Sequence, residues 1–368
     1  MATHSLPAST EITLQKLAQY KQLLDDDIND YSSLLLEEWG SEHGEFSRAA
    51  VEAYCSVLAR GGKRLRGALV MNAYEMFGGT DQQLILPAAR AIEMIHAYVL
   101  IIDDICDRSD LRRGGDSAHK LLEKYHNGKG LHGDSAHFGI SIAMNAAMAG
   151  SHLALTEIGR LPINDTVKLE AMNNINSCLL KTIHGQFNDI FNESLQQVTE
   201  AQVRDVLTAK TAWYTFLNPI QLGAILSEAG PGELDLLQDY AVHAGLSFQL
   251  IDDIIGTFGD SGATGKRTDD DLKEGKITLL VARALSHANE TDRSFLLSQL
   301  GNWDMSLEQF QECRRIIQDS GALDYVRQLA EQSSAKAVAA LDNAPDYWRS
   351  ENVAFLHGLA TYIVSRNK

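Results

Sequence analysis

The sequence predicts an all-α protein, and three observations lead to that fold class. Proline makes up only 6 of the 368 residues, and none lies between Pro87 and Pro162, so long helices can run without interruption. Apolar residues recur at steps of three and four over several long segments, which is the spacing of one helical face. A convincing alternation of Val, Ile and Thr between hairpin turns, typical of strands, occurs nowhere in the sequence.

The elements follow one another without a break in composition. We expect a helical N-terminal extension over residues 1–45 and one large helical domain over residues 46–368, because no linker-like stretch divides the chain. Residues 135–156 lack Asp, Glu, Lys and Arg and are long enough to span a bilayer, but their Ser, Asn and His residues favour a buried central helix over a membrane span. Further helical periods cover 166–195, 201–228 and 236–258, and loops are expected near 77–81, 126–134 and 259–276.

Composition excludes several classes of function. The 32 Lys+Arg and 49 Asp+Glu residues give a formal net charge of −17, which repels nucleic acid and anionic lipid, so any anionic ligand needs a local basic site. The 4 cysteines form no Cys-x-x-Cys pair, which disfavours a disulfide framework or a zinc ribbon. The first twenty residues hold no apolar run typical of a signal peptide, so we expect a cytoplasmic protein.

The first chemical motif is the acidic segment Asp103-Asp104-Ile105-Cys106-Asp107 at the end of an apolar helical stripe. Asp103 and Asp107 lie four residues apart, so their side chains share a face and repel each other. Mg²⁺ offsets such repulsion, because it accepts one or two carboxylates and completes its shell with water and phosphate oxygens. A solvated acidic helix end is the alternative, but the apolar run before the motif and the paired donors of Arg112-Arg113 after it favour a metal and diphosphate site.

A second acidic pair, Asp252-Asp253, closes the apolar helix GLSFQLIDD, with Gln249 one turn before it. For this pair alone, an ordinary polar helix end is an equally good interpretation. Two acidic clusters that each end an apolar helix predict opposite walls of one pocket, which favours the functional interpretation.

Local basic residues supply candidate anion ligands within this acidic chain. They lie next to small residues, which let cations and backbone N–H groups approach a phosphate closely. The glycine-lysine pairs do not fit the GxxxxGK[ST] spacing, which disfavours a nucleotide triphosphatase. The candidates are Lys63, Arg64 and Arg66 in GGKRLRG, Lys210 beside Thr211, and Lys266 and Lys276 after glycine.

The segments GGKRLRG, IHAYVLIIDD, DDICDRSDLRRGG, HGQFND, KTAWYTF, FQLIDD and GKRTDDDLKEGKIT resemble, in order and spacing, the trans-isoprenyl diphosphate synthases from about residue 50 to the C-terminus. The resemblance implies the all-α isoprenoid synthase fold with a central hydrophobic cavity, a homodimer, and two or three Mg²⁺ ions per site. It also implies elongation of an allylic diphosphate by isopentenyl diphosphate through ionisation, condensation and proton loss.

The same resemblance implies roles for individual residues. Asp103, Asp107 and Asp252 would bind Mg²⁺, with Asp104 beside the first pair. Thr211 and Gln249 would direct oxygen dipoles at the developing carbocation, and the loop 259–276 would act as a lid. Isopentenyl diphosphate would be held by Lys63, Arg66, His96 and Arg113, and the allylic diphosphate by Arg112, Lys210, Lys266 and Lys276.

Product length is predicted from Tyr98, five residues before Asp103 and about one and a half turns deeper along the helix. Its ring is expected to obstruct the growing hydrocarbon tail. In the family, an aromatic residue here without a two-residue insertion between the acids accompanies short products, which favours geranylgeranyl diphosphate over farnesyl diphosphate. Ordinary core packing is the alternative role for Tyr98.

Two other functions are weighed against elongation. A class I terpene cyclase shares the architecture, but its second metal motif would need Glu where Gln196 stands, and the isopentenyl diphosphate ligands would have no purpose. A non-catalytic regulatory subunit usually loses aspartates. Here Gly256 replaces the usual third Asp of the second motif, with Asp260 a turn further, yet both principal acidic pairs are retained.

Overall fold

The computed structural model describes residues 8–195, 198–259 and 268–366, and within them the predicted all-α fold is confirmed. Strand structure in this part of the chain is confined to the pair Leu111–Arg112 (β1) and Gly115–Asp116 (β2), which form an antiparallel hairpin. The helices are α1 Ala8–Ala59, α2 Leu65–Met76, α3 Gln82–Cys106, α4 Ala118–Gly128, α5 Ser135–Gly159, α6 Asp165–Ser194, α7 Glu200–Leu207, a π-helix Thr208–Leu217, α8 Asn218–Leu226, α9 Pro231–Phe258, α10 Asp270–Glu274, α11 Leu279–His287, α12 Glu290–Gln299, α13 Leu307–Asp319, α14 Ala322–Leu341 and α15 Ser350–Ser365.

The long first helix is kinked at Gly44, where φ is 80° and ψ is −179°. A positive φ of this size costs an L side chain conformational energy that glycine avoids. The kink lies next to residue 45, where we place the end of the N-terminal extension, and that boundary stays a prediction.

The chain forms two compact units. Residues 15–173 and 222–228 make up the first, in which α3 packs against α2 and α5, and α4 packs against α5. The second consists of the described residues within 8–14, 174–221 and 229–366. Its centre is α9, which packs against α14 and against the π-helix.

The predicted helix over 201–228 is interrupted in the structure. A π-helical segment, Thr208–Leu217, separates α7 from α8. Apolar periodicity does not distinguish the wider π turn from the α turn over a short stretch, so the sequence pattern missed it. Such segments occur frequently at functional sites, and this one carries two of the predicted site residues, Lys210 and Thr211.

Two helices, α3 and α5, are long and apolar enough to cross a membrane by length and composition alone. In α3, 61% of the most apolar window is buried, as expected for a core helix. In α5 the corresponding share is only 33%. The expectation of a buried central helix is therefore only partly correct: Ala143 and Ala147 are buried, whereas Met144 and Met148 on the same helix are exposed.

Candidate active site

The first unit brings together three of the residues predicted to bind isopentenyl diphosphate. Arg66, at the start of α2, places Nη1 3.2 Å from Nε2 of His96 on α3. Arg113, in the β1–β2 turn, places Nη2 3.4 Å from the same nitrogen. Lys63 lies exposed in the loop before α2.

His96 is neutral in this setting. Burial lowers its pKa well below the ordinary 6.5, and the charges of Arg66 and Arg113 act in the same direction. A guanidinium group only donates hydrogen bonds, so Nε2 of His96 must accept and its proton resides on Nδ1. The imidazole therefore aligns two arginines without adding a third positive charge.

Arg60 holds the hairpin that carries Arg112 and Arg113. Its Nη1 donates to the carbonyl oxygen of Arg112 over 3.0 Å, and its Nη2 donates to that of Asp116 over 2.7 Å. A bond from Nε to the carbonyl oxygen of Ser56 ties the same guanidinium to α1. Sequence reasoning missed Arg60, because its partners lie more than fifty residues away along the chain.

The carboxylates of the first acidic motif differ in burial. Asp103 and Asp107 are half-buried at the end of α3, whereas Asp104 is fully buried and pairs with Arg112. Burial raises the pKa of Asp104, and the Arg112 guanidinium opposes that shift. In this structure Arg112, a predicted allylic diphosphate ligand, is engaged by a carboxylate of its own unit.

The second unit brings together the other predicted catalytic side chains around α9 and the π-helix. Thr211 Oγ1 donates to Oε1 of Gln249 over 2.9 Å, and Gln249 Nε2 donates to Oδ1 of Asp253 over 2.7 Å. Lys210 Nζ lies 2.8 Å from Oδ2 of Asp189 on α6. These residues line a cavity of about 80 Å³ together with Lys276.

Two glycines allow the backbones around this cavity to approach closely. A Cβ added at Gly185 on α6 would lie 2.8 Å from the backbone nitrogen of Lys210. A Cβ added at Gly245 on α9 would lie 2.5 Å from Cα of Ala212. Both positions exclude a side chain, and together they fix the π-helix against α6 and α9.

Asp253 is a strongly perturbed carboxylate of this unit. Burial raises its pKa to about 8, and the charges of Asp271 and Asp252 add to the effect. Its Oδ2 is buried with no hydrogen-bond partner among the described residues. Neither Asp253 nor Asp189 was assigned an individual role from the sequence, although each is the last residue of a family-like segment, FQLIDD and HGQFND respectively.

Asp252, the predicted metal ligand of the second motif, pairs with the C-terminal Arg366, whose Nη2 lies 3.0 Å from Oδ1. At Gly256, where the family usually has Asp, an added Cβ would lie 3.0 Å from Oδ2 of Asp271. A longer side chain there would require the Asp271 carboxylate to move. Lys266, Asp260 and the rest of the segment 260–267 of the predicted lid lie outside the described residues.

The carboxylates fit a hard divalent cation that retains water. Over the described residues, no group of three or more His, Cys, Asp or Glu side chains is close enough to enclose a metal by itself. Mg²⁺ does not need such a cage, since it takes one or two carboxylates and fills the remaining positions with water and phosphate oxygens. The half-buried helix-end pair Asp103 and Asp107 is compatible with that mode.

Comparisons with known proteins agree on one family. The sequence model described as polyprenyl synthetase matches residues 48–317. Geranylgeranyl diphosphate synthase of Saccharolobus solfataricus is 31% identical over 86% of this chain and 90% of its own length. Octaprenyl diphosphate synthase of Escherichia coli is 30% identical over 85% and 88%. The crystal structure of Corynebacterium glutamicum geranylgeranyl pyrophosphate synthase complexed with isoprenyl diphosphate and magnesium has a TM-score of 0.85 and 29% identity, covering 98% of this chain and 99% of that one.

Proposed function

This chain belongs to the polyprenyl synthetase family and is a prenyltransferase, and we propose that it is a short-chain isoprenyl diphosphate synthase that makes mainly geranylgeranyl diphosphate. Its substrates are isopentenyl diphosphate and an allylic diphosphate. The proposed reaction has three steps: ionisation of the allylic substrate, attack of the isopentenyl double bond on the resulting cation, and loss of a proton.

The observation that carries the proposal is the cluster of Arg66, Arg113 and neutral His96. Two guanidinium groups converge on one imidazole nitrogen, at 3.2 and 3.4 Å, although their charges repel. A bound anion would relieve that repulsion, and a diphosphate offers several oxygens that match the planar donors of two arginines. We assign these three residues and Lys63 to isopentenyl diphosphate.

The acidic motifs are assigned to metal binding. Asp103, Asp107 and Asp252 would hold two or three Mg²⁺ ions, which when bound neutralise the charge that collects on the departing diphosphate. Lys210, held by Asp189, and Lys276 line the cavity of the second unit and would bind the allylic diphosphate. Arg112 and Lys266 are assigned to the same substrate by resemblance.

The pair Thr211 and Gln249 is assigned to the carbocation. Their hydrogen bond fixes two oxygen atoms 2.9 Å apart on the π-helix and α9. Preorganised oxygen dipoles stabilise developing positive charge more in the transition state than in the ground state. The released diphosphate can accept the proton lost after condensation, so no histidine or glutamate of the chain has to act as the base.

We base the proposed product length on Tyr98 and not on the overall sequence identity to relatives. Relatives of nearly equal identity are named for geranylgeranyl and for octaprenyl products, so identity does not decide the length. Tyr98 is half-buried on α3, where five residues correspond to about 7.5 Å from Asp103 along the helix axis. A ring at that depth would stop the chain early.

We further propose that the protein is a cytoplasmic homodimer. Exposed apolar side chains on α5 and α6, which would otherwise face water, support the dimer. Homodimer interfaces are more apolar than the remaining surface, so a second copy is a suitable cover. The exposed residues are Met144 and Met148 on α5, and Leu169, Leu180, Phe187, Ile190 and Phe191 on α6.

The test is turnover by the purified protein with Mg²⁺, farnesyl diphosphate and labelled isopentenyl diphosphate. We expect release of diphosphate and a twenty-carbon prenyl diphosphate, identified by chromatography. A fifteen-carbon end product from geranyl diphosphate would support a farnesyl diphosphate synthase instead, and a hydrocarbon product would support a cyclase. If the folded protein turned over no allylic substrate alone but did so after addition of a second synthase chain, it would be a regulatory subunit.

A further inference from the structure

The segment Gly61–Gly67, called the basic loop below, consists of the loop before α2 and the first three residues of α2, and it contains one arginine that faces the protein interior. Arg64 lies between Lys63 and Arg66, yet only 2% of its side chain is exposed. Its Nε lies 2.7 Å from Oδ1 of Asp25 on α1, and its Nη1 lies 3.4 Å from Oε2 of Glu93 on α3. The loop thus carries a buried cation with two carboxylate partners from two different helices.

The loop backbone is folded around this guanidinium. Arg64 has a φ of 51°, in the left-handed region that non-glycine residues rarely adopt. A Cβ added at Gly61 would lie 1.8 Å from Cζ of Arg64, so the guanidinium rests directly on that glycine. A strained conformation of this kind persists only where surrounding contacts hold it, and Asp25 and Glu93 make those contacts.

Glu93 and α1 also hold the far end of the loop. The backbone N–H of Gly67 donates to Oε1 of Glu93 over 2.9 Å. A Cβ added at Gly67 would lie 2.7 Å from Cδ1 of Leu24, the residue next to Asp25. Glu93 precedes His96 by one helical turn, so the helix that binds the loop through Glu93 also carries the imidazole that Arg66 contacts.

We propose that Asp25 in the N-terminal helix is a positioning residue for isopentenyl diphosphate. Together with Glu93 it holds Arg64 in its left-handed conformation, and this orients Lys63 and Arg66 on either side for the substrate diphosphate. The inference rests on the proposed assignment of the loop to isopentenyl diphosphate. It gives the N-terminal extension a part in substrate binding, although no residue of the extension need touch the substrate.

The chain offers a matched control for the test. Asp27 lies on the same helix as Asp25 and, like it, pairs with a buried arginine. This arginine is Arg90 on α3, whose Nη1 lies 2.6 Å from Oδ2 of Asp27. Arg90 is bound further by Glu157 on α5 and does not belong to the basic loop. Asp25→Asn and Asp27→Asn therefore each remove one carboxylate charge from a buried ion pair, but only the first loosens the loop.

We expect Asp25→Asn to raise the KM for isopentenyl diphosphate by about tenfold, with kcat and the KM for the allylic diphosphate changed less than about twofold. Asp27→Asn should leave all three constants near those of the wild type. Calorimetric titration of each protein with isopentenyl diphosphate alone should reproduce the difference in affinity. Asp25→Glu, which keeps the charge, should restore part of the lost affinity.

Equal rises in KM for both variants would overturn the proposal, because general loosening of α1 would then explain the effect. An unchanged affinity in Asp25→Asn would also overturn it. Should Asp25→Asn not fold, Glu93→Gln tests the other carboxylate of Arg64 with the same readouts. If the wild type binds isopentenyl diphosphate but does not turn over, the proposed function fails while the binding comparison still decides the role of Asp25.

Discussion

Arg112 donates from Nε to Oδ1 of Asp104 over 2.7 Å, and its Nη2 contacts the same oxygen. Asp104 is fully buried, and its neighbour Asp103 is half-buried at the end of the same helix. Two adjacent aspartates of one motif therefore serve different ends. Asp104 anchors the hairpin that carries Arg112, whereas we propose that Asp103 binds Mg²⁺.

The first prediction concerns the stability of the Asp104 variant. Asp104→Asn removes the charged carboxylate that Arg112 contacts directly in a largely buried position, which should lower the free energy of unfolding by about 3 kcal/mol. Urea denaturation of the protein without substrate measures this change. An Asp104→Asn protein as stable as the wild type would show that the buried pair contributes nothing.

The second prediction concerns activity in the Asp103 variant. Asp103→Ala removes one of several mutually repelling carboxylates, so the unfolding free energy should stay within about 0.5 kcal/mol of the wild-type value. Mg²⁺-dependent turnover should fall at least about a hundredfold, because transition-state charge neutralisation is lost. The same urea denaturation assay measures the stability of this variant. A large loss of stability would show that Asp103, like Asp104, has a structural role.

Local patterns predicted the helices well, and their exceptions have a physical cause. The periodicity over 166–195 corresponds to α6, because a 3.6-residue repeat of apolar positions is readable within any short window. The π-helix at Thr208–Leu217 depends on close packing against Gly185 and Gly245, which lie more than twenty residues away on either side. The pattern of apolar residues within a short segment cannot indicate a contact with residues so far away in the sequence.

The same distinction applies to the candidate site. The sequence identified Arg66, His96 and Arg113 as a group by resemblance, and the structure places them in contact. The sequence did not show that Arg64, unlike Lys63 and Arg66, faces the interior, because the carboxylate that binds it belongs to Asp25, 39 residues earlier. Which distant carboxylate pairs with which arginine is decided only in the folded chain. From the sequence alone, every basic residue of the loop therefore looks equally able to bind an anion.

The third prediction follows from the lowered pKa of His96. In the folded state His96 stays neutral, whereas in the unfolded chain it takes up a proton near pH 6.5. The unfolded state therefore binds more protons below that pH, and the folded protein loses stability as the pH falls from 6.5. His96→Gln should remove up to about 2 kcal/mol of the stability loss between pH 6.5 and pH 5. Unfolding free energies at the two pH values, compared between wild type and variant, give the result; identical losses would mean that His96 is protonated in the fold.

The fourth prediction tests the dimer through α5. Met144 and Met148 lie one turn apart and are 42% and 55% exposed. Glutamate at both positions would place two charges in an apolar interface, which should raise the dimer dissociation constant at least about a hundredfold. Sedimentation velocity measures the shift to monomer. Leu307→Glu on α13, at a residue that is 72% exposed, is the control and should leave association unchanged; equal behaviour of the two variants would exclude α5 from the interface.

The last prediction concerns the length of the product. Tyr98→Ala removes the ring that we expect to meet the growing tail, so the main product should lengthen by at least one five-carbon unit. Tyr98→Phe keeps the ring and should keep the wild-type product, which separates obstruction from any effect of the hydroxyl group. If Tyr98 instead serves ordinary core packing, Tyr98→Ala will lower stability by about 3–5 kcal/mol and leave the product length unchanged. Chromatography of labelled products together with thermal denaturation of the same preparations distinguishes the two roles, because only obstruction changes the length of the chain released.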